Sequence, residues 1–164
     1  MADRSVLLEW LNEAYIMENG IAGVLEGQLP QTADLPDLQD KLREHSATTR
    51  RQAERLRDHI HQLGGTPAVF IAGAAGAVGA MQGALSGGLP TPLVRDSVLN
   101  YATAHFEIAT YTALIAAAKA LEEAGTIHLC EELLKEEEEM GRWLHRRLPR
   151  LVADSLGTRT ASPR

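Results

Sequence analysis

The chain has 164 residues and a mass of 17.8 kDa, the size of one domain with room for a single hydrophobic core. Its net charge of −6, with acidic and basic residues interleaved along helical stretches, argues against a general nucleic-acid binder. Cys130 is the only cysteine, which leaves no internal disulfide and no thiolate cluster for zinc or iron–sulfur chemistry. From Asp3 and Arg4 the sequence passes straight into an amphipathic stretch without the apolar block of a secretory signal, so the expected compartment is the cytoplasm.

The spacing predicts a first helix from about Ser5 to Gln28, stopped at Leu29-Pro30 because a residue before proline leaves the helical region. Its inward stripe reads Leu7, Leu11, Ala14, Glu18, Ile21, Leu25, one face of a helix with a carboxylate at the centre. Asp34-Leu35-Pro36 reads as a cap with proline in the first turn of a second helix, which ends at Gly64-Gly65. Its stripe, Leu38, Leu42, His45, Thr49, Gln52, Leu56, Ile60, Leu63, is interrupted by three polar residues in succession.

Between Gln62 and Val94 no side chain carries a formal charge, and Gly73, Gly76, Gly79 and Gly83 punctuate Ala68 to Leu85. This stretch reads as a short, loosely helical Gly/Ala-rich connector packed across the bundle or into a subunit interface. Its apolar residues are mostly alanine and it carries Gln82, which argues against a membrane span.

Thr91-Pro92 opens a third long helix with the stripe Ala104, Glu107, Tyr111, Leu114, Ala118, Leu121, expected to close near Gly125. Thr126 is the expected cap of a last helix with the stripe Cys130, Leu134, Glu137, Gly141, Leu144, Leu148, Leu151. Arg142, Arg146, Arg147 and Arg150 near its end suit the helix dipole and a solvated face. The expected organisation is one helical bundle domain over residues 1–155, followed by a disordered tail over 156–164.

Each long helix thus brings one metal-ligand type of side chain inward at its mid-point: Glu18, His45, Glu107 and Glu137. A buried carboxylate is costly unless it is hydrogen-bonded, paired or bound to a cation. One polar residue in a stripe is commonly an edge residue, or the partner of a buried Tyr or Arg. Four at one level of an antiparallel bundle share a single explanation, because di-metal carboxylate proteins assemble their sites there.

The segments Ala14-Tyr15-Ile16-Met17-Glu18, Glu44-His45 with Thr49, Gln52, Arg55 and Leu56, and His105-Phe106-Glu107-Ile108-Ala109-Thr110-Tyr111 carry a family likeness. On these motifs the chain resembles the YciE/YciF-type ferritin-like stress proteins from its first helix to Leu148. The resemblance implies an all-α, ferritin-like antiparallel four-helix bundle with a two-metal carboxylate site. By position, Glu18, His45, Glu107 and one of Glu136 or Glu137 are retained, while Thr48, Ala104 and Gly141 stand where the family tends to carry carboxylates. His105 adds a ligand only if it turns inward.

Two metals need about six protein ligands, including bridging carboxylates, and this chain offers about four. The expectation is therefore a reduced metal site taking iron or manganese, tied to metal handling or oxidative stress. Any activity would be of the ferroxidase or peroxide-consuming type, and a non-enzymatic role fits the ligand count better. The alternative is a helical module that has lost the metal and works by association, as a homo-oligomer through the uncharged segment. Asp154-Ser155-Leu156-Gly157 also faintly resembles tails that load cargo into protein shells. No Ser/His/Asp set, phosphate-binding loop or zinc helix motif is present to support a hydrolase or transferase.

Overall fold

In the computed structural model, which describes residues 4–69 and 91–157, proline and glycine set most of the helix ends. Helix α1 (Arg4–Gln28) gives way at Pro30 to a 3-10 turn, Leu29–Thr32. Helix α2 (Pro36–Gln62) closes in a reversed-turn cap, with Gly64 at φ 79° and the Gly65 amide returning to the Ile60 carbonyl at 2.9 Å. Helix α3 (Pro92–Ala120) is capped by Thr91, whose Oγ1 accepts from the Val94 amide at 3.3 Å. Helix α4 (Ala124–Ser155) follows after a tight turn and runs through Pro149.

Three expected end signals are corrected. Asp34 does not cap α2: the cap position is Leu35, which makes no side-chain cap bond, and Pro36 presets the first turn. Gly125 does not close α3. The chain reverses at Glu122, at φ 55°, with the Glu123 amide bonded to the Ala118 carbonyl at 2.9 Å. Gly125 lies inside α4, where a Cβ would stand 3.2 Å from the His59 ring, so this glycine serves a close helix approach and not a left-handed turn. Thr126 is likewise inside α4. It is fully buried with its hydroxyl 2.8 Å from His59 Nε2, and the cap position is Glu123.

The apolar stripes converge in two clusters. The first joins Leu7, Leu11 and Ala14 of α1, Leu56 and Ile60 of α2, Leu114 and Ala118 of α3, and Leu129 and Leu133 of α4. The second joins Ile21 and Leu25, Leu38 and Leu42, Ala104, and Met140, Leu144 and Leu151 of the same four helices. The N-terminal halves of α1 and α4 therefore share one end with the C-terminal halves of α2 and α3. It follows that α1 and α4 run one way and α2 and α3 the other, and that the chain leaving α2 at one end re-enters in α3 at the opposite end. No strand occurs among the described residues. The Gly/Ala-rich connector expected over Ala68 to Leu85 and the tail expected over 156–164 lie outside them, apart from the first two residues of each.

All six α1 stripe residues are buried, and α2 buries every stripe residue from Leu38 to Ile60. In α4 the stripe includes Leu133 and Met140 in place of Leu134 and Leu148, which are only partly covered. No helix of the described residues is long and apolar enough to cross a membrane.

Candidate metal centre

Between the two apolar clusters lies a dry polar layer, because the mid-points of all four helices fall at one level. Glu18, Glu107 and Glu137 are all 0 % exposed, and so are Thr49 and Gln52. His45 is 7 % exposed. One ring nitrogen of His45 and one carboxylate oxygen each of Glu107 and Glu137 lie within 4.8 Å of one another. His45 Nε2 stands 3.8 Å from Glu137 Oε2. Ligands held on one ion at roughly 2.0–2.2 Å stand no more than about 4 Å apart, so a modest contraction brings these three atoms onto a common ion.

The remaining members orient the layer. Tyr111, fully buried, donates its phenol proton to Glu18 Oε1. Gln52 Nε2 donates to Glu137 Oε1 at 2.9 Å, and Thr49 turns its hydroxyl back to the His45 carbonyl at 3.0 Å. Counted as carboxylates, several oxygens have no donor: both of Glu107, Oε2 of Glu18 and Oε2 of Glu137, with Oε1 of Gln52 beside them; Glu107 shares a hydrogen bond with Glu18 or Glu137 only where one carboxyl of the pair keeps its proton. Buried oxygens left this way cost about 1–3 kcal/mol each, more when charged, so the layer is incomplete as a closed hydrogen-bond network.

Electrostatics lead to the same conclusion. Burial, then the Glu137 charge, pushes the Glu18 carboxyl well above the usual range against the opposing Tyr111 hydrogen bond. Burial, then Glu137 and Glu18, does the same to Glu107. Glu137 is pushed up to about 7 by burial, opposed by the Gln52 hydrogen bond. His45 is brought down to about 4 by burial, with Lys41 adding to the effect. Tyr111 is raised well above the usual phenol range by burial and by Glu18. The imidazole is therefore neutral at physiological pH, the state that ligates metals. The three carboxyls resist being charged together until a cation joins them.

Of the six residues expected from sequence, the structure brings Glu18, His45, Glu107 and Glu137 into this layer. Glu136 stands at its edge on the α2/α4 seam, 38 % exposed, and accepts from Gln52 Nε2 at 2.8 Å. His105 turns outward: its exposed ring meets Tyr101 edge-on at 4.6 Å between centroids. Sequence reasoning had Tyr111, Thr49 and Gln52 in the stripes but not in the site. The run of three polar residues in the α2 stripe was the signal for two of them.

The departures from a two-metal set also read differently in three dimensions. Thr48 is on the rim of α2, where Arg51 donates to it at 2.9 Å. Two-metal bundles take Glu-x-x-His from two helices. Here the partner position of His45 is Leu42 and that of Glu137 is Met140, each 2 % exposed in the second apolar cluster. Two ligand positions are thus occupied by packed hydrocarbon.

Residues 2–157 match the family described as Domain of unknown function (DUF892). Among solved structures the chain resembles a protein from Xanthomonas campestris pv. campestris, at 24 % identity over 94 % of this chain and 96 % of that one, with a TM-score of 0.79. It resembles the Mycobacterium tuberculosis bacterioferritin BfrA at 19 % identity over 96 % and 91 % of the two chains, TM-score 0.75. It also resembles a ferritin-like, diiron-carboxylate protein from Bacillus anthracis at 17 % identity over 90 % and 99 %, TM-score 0.74. Four long helices, a buried carboxylate layer at their mid-points and a family match along almost the whole chain lead to one assignment: the chain belongs to the DUF892 family and has the ferritin-like bundle fold.

Proposed function

We propose that this chain is a ferritin-like metal-binding protein that holds one divalent ion, iron or manganese, on His45, Glu107 and Glu137, with the Glu18 carboxylate as a fourth ligand, and serves metal handling or the response to oxidative stress. The observation that carries this reading is the set of buried carboxylate oxygens without a hydrogen-bond partner beside a neutral imidazole. Mixed nitrogen and oxygen donors suit iron and manganese. Leu42 and Met140 support one ion rather than two, since a pair of metals lacks the bridging carboxylate and second imidazole it would need.

Each residue has a defined part. His45 offers a nitrogen lone pair without first losing a proton. Glu107 offers two oxygens that no donor engages once the neighbouring carboxyls are ionised. Tyr111 and Gln52 each hold one oxygen of Glu18 and of Glu137, which leaves the other free to bind. A bound iron or manganese ion would supply one-electron redox chemistry in a site sealed from water by Leu42, Met140 and Tyr111.

Metal analysis by mass spectrometry of protein purified without chelator should find about one ion per chain. His45→Ala and Glu107→Ala should each remove it; equal metal in both variants would sink the proposal. We place the protein in the cytoplasm and infer that it is a homo-oligomer; the exposed Val6 and Trp10, one turn apart on α1, support the oligomer. Light scattering that returns a monomer would remove that part.

A further inference from the structure

One hydrogen-bond donor on the α2/α4 seam serves two acceptors of different kinds. Gln52 Nε2 gives one proton to Glu136 Oε2 at 2.8 Å and another to Glu137 Oε1 at 2.9 Å. Glu136 is 38 % exposed, whereas Glu137 is 0 % exposed and belongs to the core layer. A single amide group therefore separates a carboxylate that meets solvent from one that meets the proposed ion. The other end of that amide, Gln52 Oε1, is buried and has no hydrogen-bond partner.

Glu136 Oε2 and Glu137 Oε1 thus converge on the same amide, 2.8 and 2.9 Å from its nitrogen, and carboxylate and amide oxygens are the donors that hard cations take. Rotation about the last side-chain bond of Gln52 exchanges its nitrogen for its oxygen, and such torsions are soft. The turned amide would then offer Oε1 where it now offers two protons. The geometry points to Glu136, Gln52 and Glu137 as the route by which a divalent cation passes from solvent to the core site, with the Gln52 amide turning over to hand it from the outer carboxylate to the inner one. This inference rests on the metal-binding reading above.

Arg55 attends the outer end of the route. It pairs with Glu132 and reaches to 4.0 Å from Glu136 Oε1. His128 stands 3.5 Å from Glu132 on the same surface. Arg55 is partly exposed, so its pairing is weak and displaceable, and it competes with an arriving cation for the Glu136 carboxylate.

Stopped-flow mixing of the metal-free full chain with cobalt(II) chloride, followed by visible absorption, separates the route from the site. Glu136→Gln keeps an acceptor for Gln52 and should slow the association rate by about tenfold, within the range by which local charge tunes on-rates, while the equilibrium affinity changes by less than about threefold. Arg55→Ala should speed association. Glu138→Gln, an exposed acid on the same helix that faces Arg142 at 3.6 Å, should leave the rate unchanged. Equal slowing in Glu136→Gln and Glu138→Gln would mean general attraction by negative charge and would overturn the route. So would an unchanged rate in Glu136→Gln with intact binding. Wild-type protein that takes up no cobalt would overturn the core site itself, a failure distinct from the other two.

Discussion

The cluster around Leu11, Leu56 and Leu114 and the layer around Glu18, Glu107 and Glu137 are equally dry, with every one of these side chains at most 1 % exposed. In the first, burial removes apolar surface from water and each leucine contributes roughly 1.5–3 kcal/mol. In the second, the same burial opposes folding, because it takes carboxyls from water that can be charged there only at a cost. Two regions of the same four helices thus pull in opposite directions: the ends hold the bundle together, and the middle stores a demand that a cation can meet.

The sharpest way to test that contrast is one substitution in each region. Leu56→Ala should destabilise the protein by about 2–5 kcal/mol in urea unfolding, the range for a large-to-small change in a packed core. Glu107→Leu should act in reverse on the metal-free protein, leaving stability unchanged or raising it by about 1–3 kcal/mol as a buried carboxyl short of donors is replaced by hydrocarbon. It should also abolish metal binding. A Glu107→Leu variant as unstable as Leu56→Ala would erase the distinction between the two regions.

pH separates them next. The folded state raises Glu137 from 4.5 to about 7, so this group's contribution is full below pH 4.5 and is lost as pH rises through about 7. Glu18 and Glu107 are shifted in the same direction. His45, lowered from 6.5 to about 4, contributes fully above pH 6.5 and loses that contribution as pH falls through about 4. Above pH 6.5 only the carboxyls still act, so the melting temperature of metal-free protein should fall from pH 6.5 to 8. A tenfold difference in proton affinity between the folded and unfolded chain is worth about 1.4 kcal/mol. Glu137→Gln should flatten the fall, and saturating metal should reverse it, because the ion replaces protons that the carboxyls would otherwise hold. A melting temperature that does not respond to pH in this window would mean the layer carries no uncompensated charge.

Smaller effects come from positions outside both regions. Thr91→Ala removes the α3 cap bond and should cost about 1 kcal/mol in thermal unfolding. Arg50→Ala removes a surface pair with Glu26 at 2.8 Å and should cost under about 1 kcal/mol. Neither should alter metal content.

The four helices and their inward faces were legible in the sequence because a 3.6-residue period leaves the same signature wherever a helix lies against a core. Leu7, Leu11, Ala14, Glu18, Ile21 and Leu25 share a face by spacing alone, and all are buried. Proline and the Gly64-Gly65 pair gave reliable ends, since their backbone preferences act within a few residues. Gly125 and Thr126 misled for the opposite reason: a glycine near a helix end looks like a turn whether it supplies a left-handed conformation or room for the ring of His59.

What the sequence alone determined, then, is that each helix carries one ligand-type side chain at the centre of its apolar stripe. Only the tertiary structure decided which side chains meet. The antiparallel packing of α1 against α3, and of α2 against α4, places Tyr111 on Glu18 and Gln52 between Glu136 and Glu137. It also packs Leu42 of α2 and Met140 of α4 into one apolar cluster. Those contacts join residues far apart in the chain, and periodicity within one helix carries no information about the rotation and height at which another packs against it.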